Sequence, residues 1–347
     1  MVELLSIKED VAFRELMDYA YKVKLRYVGN KVFFRGIIEF GNICRKDCYY
    51  CGLRKSSRAN ARYTMPHEEI VECALWAFSN DYGSIVLQSG ECNDSGFISF
   101  MEGILREIKE KTCGKLGITL SLGEQTEETY RKWFDAGAHR YLLRIESSNR
   151  ELYKMIHPAD ALHDFDNRLD CIKSLGKIGY QTGTGVMIGL PGQTLYDLAD
   201  DILFFKELDV DMIGMGPYIV HHETPLAARM PDFEKIKDEQ FRLGLKMIAV
   251  TRIALKDVNI ASTTALQALN PEGREMGLKA GANIIMPNIT PVKYRHDYQL
   301  YEDKPCLDEN ASLCRNCLKK RIESIGEEIG YGEWGDSKHF FTKRTRP

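Results

Sequence analysis

Long apolar runs are missing from this chain. Its apolar stretches are strand-length, such as the one around Ile284–Met286, and none approaches the roughly 20 residues that a membrane-spanning helix needs. The opening MVELLSIKED lacks a basic region followed by an apolar one, so no secretory signal is expected. An excess of one charge sign is missing too. Lys and Arg number 47 against 50 Asp and Glu, a net charge of -3, and no basic tract stands out. Neither a nucleic-acid footprint nor a membrane partner is expected. There is no low-complexity linker, and no internal repeat beyond an alternation of strand-like and helix-like segments. At 347 residues the chain is long enough to bury a large core.

Cysteine is what the chain has in an informative pattern. Four of the ten, Cys73, Cys92, Cys113 and Cys171, stand singly, and the other six form two tight groups. A chain with no export signal is expected in the cytoplasm, where disulfides are rare. Close cysteine groups there point to metal or cluster binding. The single cysteines read as core or surface residues, since free Cys behaves as a small hydrophobe.

Eight β-rich runs are spaced along the sequence, at 32–41, 84–90, 117–123, 140–147, 181–190, 211–220, 259–266 and 283–290. Helical patterns separate them, among them PHEEIVECALWAFSND, GFISFMEGILREIKEK, FDNRLDCIKSLGKIG and GREMGLKAG. Such alternation predicts parallel βαβ units with right-handed crossovers. Eight of them predict a complete (β/α)8 barrel of class α/β, with an open doubly wound sheet as the alternative. The barrel is preferred because polar residues recur late in the strands and need a shared cavity. The expected organisation is an N-terminal helical segment over 1–31, the barrel over 32–290, and a C-terminal extension over 291–347 with no clear barrel element but a final helix. His221 and His222 follow the sixth strand. Neighbours on an extended segment point opposite ways, so a polar loop is expected there rather than a shared metal.

Directly after the first strand stands Cys44-Arg-Lys-Asp-Cys48-Tyr-Tyr-Cys51. Structural zinc sites usually take four protein ligands, whereas three thiolates on a 4Fe-4S cluster leave one iron open to chelate a substrate. A zinc knuckle remains the plainer alternative. This C-x3-C-x2-C spacing resembles the signature of the radical S-adenosylmethionine (SAM) superfamily. The resemblance implies that Cys44, Cys48 and Cys51 hold the cluster and that the open iron binds the amino and carboxylate groups of SAM. It places Tyr50 near the adenine, Gly90 and Glu91 at the SAM ammonium, and backbone at Leu190, in Gly-Leu-Pro-Gly-Gln-Thr, against the adenine. The residues alone read that last segment as a turn with a helix N-cap at Thr194.

The stretches IIEFGNICRKDCYYCGLR, IVLQSGE, TLSLGE, RYLLRIES, GLPGQT, GPYIVHHETPLA and YQLY recur in order and resemble the HydE family of FeFe-hydrogenase maturases, with biotin synthase and the methylornithine synthase PylB as relatives. The family pattern implies that Gln88, Thr119, Ser121, Glu146, Arg168 and Tyr298 serve SAM. It implies that Arg35, Arg144, Thr263, Thr264, Met286 and Tyr301 surround the substrate. Arg35 and Arg144 also suit an anionic complex, because a guanidinium fork donates to anionic groups; ion pairs with Glu39 or Glu146 are the structural alternative. Where the family has an Asp-Pro-Tyr-like loop after Ser-Gly-Glu, this chain has Cys92-Asn93-Asp94. The implied substrate is a small organometallic complex, iron with carbonyl, cyanide and cysteine ligands. The implied partners are a reductant such as ferredoxin or flavodoxin, and the maturases HydG and HydF.

Cys306, Cys314 and Cys317 form the second group, spaced C-x7-C-x2-C, and match an auxiliary 2Fe-2S or 4Fe-4S site found in some HydE members. A zinc site or an empty one is the alternative, since soft thiolates suit either. A fourth ligand would have to come from water or another side chain. Two other functions stay open: a PylB- or biotin-synthase-like enzyme acting on an amino acid or thioether, and a carrier that hands an iron–sulfur cluster to a partner.

Overall fold

The computed structural model describes residues 1–345, so the last two residues of the expected C-terminal extension lie outside it. Its longest strand is β1 (Lys31–Gly41), buried along nearly its whole length, as a strand covered on both faces should be. β2 (Ser84–Ser89), β3 (Gly117–Ser121), β4 (Arg140–Leu142) and β5 (Gln181–Thr184) follow it in parallel register. β6 (Met187–Ile188) extends the line of β5, and β7 (Met212–Ile213) pairs with β5. β8 (Gly216–Pro217) pairs with β6, and β9 (Asn259–Ile260) with β7. β10 (Ile284–Ile285) returns to the other side of β1. The result is a curled parallel sheet of eight strands in the order β10-β1-β2-β3-β4-β5-β7-β9. At the two ends of that order, Asn283 N–H donates to Ile260 O (2.9 Å) and Ser262 N–H to Ile284 O (2.9 Å).

Each expected strand run contains strand, but several are shorter than expected: strand covers Arg140–Leu142 of 140–147, Asn259–Ile260 of 259–266 and Ile284–Ile285 of 283–290. The run 259–266 ends early, because Thr264–Leu269 is helix. The helices pack outside the sheet. Helix Ser95–Lys111 buries Met101, Ile104, Leu105 and Ile108, a three-and-four spacing that puts all of them on one face. Asp94 caps it by accepting from Phe97 N–H (2.9 Å). Thr194 is the expected N-cap of helix Leu195–Glu207, in a capping box with Asp197. No described helix is long and apolar enough to cross a membrane.

The C-terminal segment does more than the sequence suggested. Besides helix Ala311–Ser324 it adds β11 (Glu328–Ile329), hydrogen-bonded to the start of β1. Residues 334–337 then run beneath the N-terminal ends of the strands. Trp334 O accepts from Arg140 Nη1 (3.1 Å) and Gly335 O from Arg35 Nη2 (3.0 Å) and Asn259 Nδ2 (2.9 Å). Ser337 N–H donates to Gln181 Oε1 (3.0 Å). This segment forms a polar floor under the sheet, and the chemistry-bearing end is left to the opposite, C-terminal ends of the strands.

Candidate functional site: a cavity at the strand ends

A cavity of about 330 Å3 opens at the C-terminal ends of the strands, where parallel α/β folds place their sites. The loop after β1 brings Cys44, Cys48 and Cys51 to its wall, all three half-buried. The loop is braced from the end of β2. Glu91 N–H points at Cys44 Sγ (3.3 Å), and Arg45 N–H donates to Glu91 O (2.9 Å). Gly90 makes that contact possible, since a Cβ there would lie 2.2 Å from Ile43 O and 2.9 Å from Cys44 Cβ. Burial pushes the thiols of Cys48 and Cys51 up, Cys51 to about 12. Such thiols stay protonated unless a metal takes the place of the proton. Three soft donors on one short loop, facing a shared space, fit a cluster with one iron left without a protein ligand.

Beside the cysteine loop lies a network of buried charge. Glu124 Oε1 accepts from Arg168 Nη1 (2.7 Å) and pairs with Lys46 Nζ (2.9 Å), and Glu124 Oε2 accepts from Asn167 Nδ2 (2.7 Å). Burial alone would push the Glu124 carboxyl up, but Arg168 and Lys46 outweigh it and hold it below the usual carboxylate range. The Glu91 carboxylate accepts from Arg45 Nε (3.0 Å) and Glu124 N–H (2.9 Å). Arg144 grips Glu146 through Nε (3.1 Å) and Nη2 (2.9 Å), so the ion pair considered from the sequence is present. Glu146 has a φ of 68°, a left-handed conformation that costs a non-glycine residue about 1 kcal/mol or more. Elsewhere on the wall, Gln88 Nε2 donates to the Tyr298 hydroxyl (3.2 Å), and Thr264 Oγ1 meets the Tyr301 hydroxyl (2.7 Å).

Most of the expected site residues therefore converge. Tyr50, Gln88, Gly90, Glu91, Ser121, Glu146, Arg168 and Tyr298 line the cavity, as do Arg144, Thr263, Thr264, Met286 and Tyr301. Three do not. Thr119 lies one inward position below Ser121, and its hydroxyl accepts from Arg140 Nε (3.0 Å). Arg35 lies one inward position below Ile37 and reaches down to Gly335 O and Met212 Sδ (2.9 Å). Both belong to the floor, because inward side chains recur every second residue along a strand. Leu190 packs with Ile156, Met187, Tyr218 and Leu226, with Tyr50 against the cluster's edge. Its backbone N–H and C=O are both taken up by Gln193 (3.1 and 3.0 Å), so the turn satisfies itself.

Sequence reasoning passed over Lys46, Glu124, Arg274 and the buried pair Lys304–Glu39 (2.5 Å). Glu124 had a signal: Gly123-Glu124 repeats after the third strand the Gly90-Glu91 dipeptide that follows the second. The others had none, being ordinary charged residues until folding buries them.

The second cysteine group divides. Cys306 lines the cavity and Cys314 is buried beside it, and with Glu309 they place ligand atoms within 4.8 Å of one another. Cys317 is exposed, one turn along helix Ala311–Ser324. A hydrogen bond between Cys306 and Cys314 drives their proton affinities apart, Cys314 down to about 7. His221 and His222 do not diverge as expected. Their rings lie 5.3 Å apart and nearly parallel, with Glu302 beside His222. The backbone bends there instead of continuing as a strand, as the bond from Thr224 N–H to His221 O (2.9 Å) records.

Comparison with known proteins bears on this geometry. The profile of the radical SAM superfamily matches residues 38–237. The FeFe-hydrogenase maturase subunit HydE of Thermotoga maritima is 46% identical over 340 residues, covering 98% of this chain and 93% of that protein. The 3-methylornithine synthase of Methanosarcina acetivorans is 24% identical over 94% of this chain and 88% of its own. Among solved structures, methylornithine synthase PylB superposes with a TM-score of 0.79 at 24% identity, covering 95% of this chain and 93% of PylB. The FeFe-hydrogenase maturase HydG of Carboxydothermus hydrogenoformans also reaches 0.79, at 22% identity, over 98% of this chain and 77% of that one. These two likenesses speak to the fold alone.

Proposed function

The chain belongs to the radical SAM superfamily and, within it, to the HydE family of hydrogenase maturases, and on that premise we propose that its cavity processes an iron–carbonyl–cyanide–cysteine precursor for the hydrogenase cofactor. It is a radical SAM enzyme, and its family implies a 4Fe-4S cluster and SAM. The observation that carries the reading is the convergence of Cys44, Cys48 and Cys51 with Gln88, Glu146 and Arg168 on one cavity, from separate segments of the chain.

When bound, the cluster supplies an open iron for the amino and carboxylate groups of SAM and the electron that splits its carbon–sulfur bond into methionine and a 5′-deoxyadenosyl radical. The chain's part is to hold and shield. Cys44, Cys48 and Cys51 would be the cluster ligands. Gly90, Glu91, Ser121 and Glu146 offer backbone and carboxylate acceptors to an ammonium, and Arg168 faces a carboxylate with its charge already oriented by Glu124. Gln88 and Tyr298 hold each other across the wall between them. Tyr50 is the aromatic candidate for the adenine, with Leu190 behind it. Thr263, Thr264, Met286 and Tyr301 bound the far end, where the substrate would lie. Arg144 is committed to Glu146, which orients that carboxylate.

Four finer assignments accompany this. The sheet is read as a complete (β/α)8 barrel, supported by the parallel bridge between Ala261 and Ile284. Segments 1–31, 32–290 and 291–347 are read as N-terminal helices, barrel and extension. An auxiliary iron–sulfur site is assigned to Cys306, Cys314 and Cys317, with Glu309 as the candidate fourth ligand. HydG as supplier, HydF as recipient and ferredoxin or flavodoxin as reductant are the partners assigned.

The test is anaerobic reconstitution, reduction with dithionite, and detection of 5′-deoxyadenosine beside a variant with Cys44, Cys48 and Cys51 changed to Ala. Cleavage lost in the variant is expected. A full iron–sulfur spectrum without SAM cleavage would replace the enzyme by a cluster carrier.

A further inference from the structure

Around the cavity, Lys46 and Arg168 meet Glu124, Arg144 meets Glu146, and Lys304 meets Glu39. One cation on the wall has no such partner. Arg274, near the start of helix Gly273–Lys279, lines the cavity and is 2% exposed. Its Nε and Nη1 are buried without a hydrogen-bond partner, and no carboxylate of a described residue pairs with it, although the thiols of Cys306 and Cys314 lie within electrostatic reach. A buried guanidinium left alone is costly, by several kcal/mol.

The fold takes trouble to place it there. Ser262 Oγ donates to Arg274 O (2.8 Å) and ties the first turn of the helix to the segment after β9. Gly277 lets the helix lie that close, since a Cβ there would come within 2.3 Å of Ser262 Oγ. Thr263, Thr264 and Tyr301 line the same cavity, and the Thr264 and Tyr301 hydroxyls bond to each other (2.7 Å).

We infer that Arg274 is the residue by which the cavity recognises the negative charge of its substrate, donating to a carboxylate or a metal-bound cyanide and discriminating against neutral ligands. This rests on the reading of the cavity as the chamber for an anionic complex. The chemistry is a planar fork of N–H donors whose hydrogen-bonding anion arrives only with the ligand. Arg35, the other arginine expected here, is held in the floor, and Arg144 already has its carboxylate.

The test uses the reconstituted, SAM-loaded protein and two probes, 13C-formate for a carboxylate and 13C-cyanate for a metal-bound cyanide, each followed by NMR line broadening. The wild type should bind at least one of them, and the one it binds identifies the source of the charge. Arg274→Gln should weaken that binding roughly 10- to 100-fold, and Arg274→Lys less, since it keeps the charge and loses the fork. The ligand-free melting temperature should hold or rise in Arg274→Gln, because the charge removed had no partner. Equal binding by wild type and Arg274→Gln, or no binding of either probe, would overturn the inference. So would a clear drop in the ligand-free melting temperature, which would mean that the thiols of Cys306 and Cys314 balance the guanidinium within the fold. Because SAM cleavage is assayed separately, a wild type that binds the anions without cleaving SAM would sink the function and spare this assignment; cleavage without anion binding would do the reverse.

Discussion

At the N-terminal ends of the strands, Arg35 and Arg140 are walled in by the 334–337 segment, which supplies Asp336 to Arg140. At the C-terminal ends, Arg144, Glu146, Arg168 and Glu124 border an open cavity. The residue types match and the burial is comparable, yet the two groups serve different ends. In the floor the arginines donate to backbone carbonyls of Trp334 and Gly335, so the chain uses its own polar atoms to close the sheet. Burial would push the Asp336 carboxyl up, but the His139 hydrogen bond and the Arg140 charge outweigh it and hold it far below the usual carboxylate range. His139 itself is pushed down to about 3, chiefly by burial. Its Nδ1 accepts from Ile118 N–H (3.3 Å), which leaves Nε2–H for Asp336 (3.3 Å). At the cavity end the charges pair with each other and leave edges facing empty space. A buried ion pair is weak support for a fold, but it is an effective way to fix a charged group in one orientation before a ligand arrives. The lesson is that position along the strand decides whether a buried charge stabilises or serves.

The contrast can be broken most severely at the cavity. Changing Cys48 alone to Ala should reduce SAM cleavage to background, with the far-UV circular dichroism unchanged. Next comes Glu124→Gln, which takes from buried Arg168 its carboxylate partner and leaves Lys46 only the longer contact to Glu91 (3.6 Å). We expect kcat/KM for SAM cleavage to fall about 10- to 100-fold, and stability to fall by about 3–5 kcal/mol in denaturant unfolding.

The floor should respond in stability only. Asp336→Asn leaves the buried Arg140 unpaired and should cost about 3 kcal/mol at neutral pH. The sign of its pH dependence follows from the depressed proton affinity of Asp336. A carboxylate with a lowered folded-state value contributes stability that is fully present above its unfolded value, about pH 4, and is lost as the pH falls toward the folded value. The gap between wild type and variant should therefore be constant from about pH 5 to 8 and narrow below about pH 4. A gap that widened in acid would contradict the assignment. The finest test compares two residues on one strand. Thr119→Val removes the acceptor of Arg140 Nε and should lower stability by about 1–3 kcal/mol with an unchanged KM for SAM. Ser121→Ala should leave stability within about 0.5 kcal/mol and raise that KM several-fold. Equal behaviour of the two would erase the boundary between floor and cavity.

Much of this molecule was legible beforehand because the signals were local. C-x3-C-x2-C is a spacing within one loop, and a strand–helix alternation is read from periods of two and 3.6. The Thr194 cap lies within one turn of its helix. Depth is what local signals do not carry. The family pattern put Arg35 beside the substrate and Thr119 beside SAM, and in the structure each lies a single inward step below the residues that line the cavity. Leu190 was placed by a motif whose turn proved self-contained. His221 and His222 were separated by a rule for extended chain that a bend cancels.

By itself the sequence determined the family, the cysteine loop and the succession of eight strand runs along the chain, because each is written in neighbouring residues. Only the tertiary structure decided which charges face the cavity and which seal the floor. It also decided that Cys306 reaches the cavity while Cys317 does not, and that Arg274 stands there alone. Those outcomes depend on strand register and on contacts between segments as far apart as Arg35 and Gly335, whose energies no local pattern encodes.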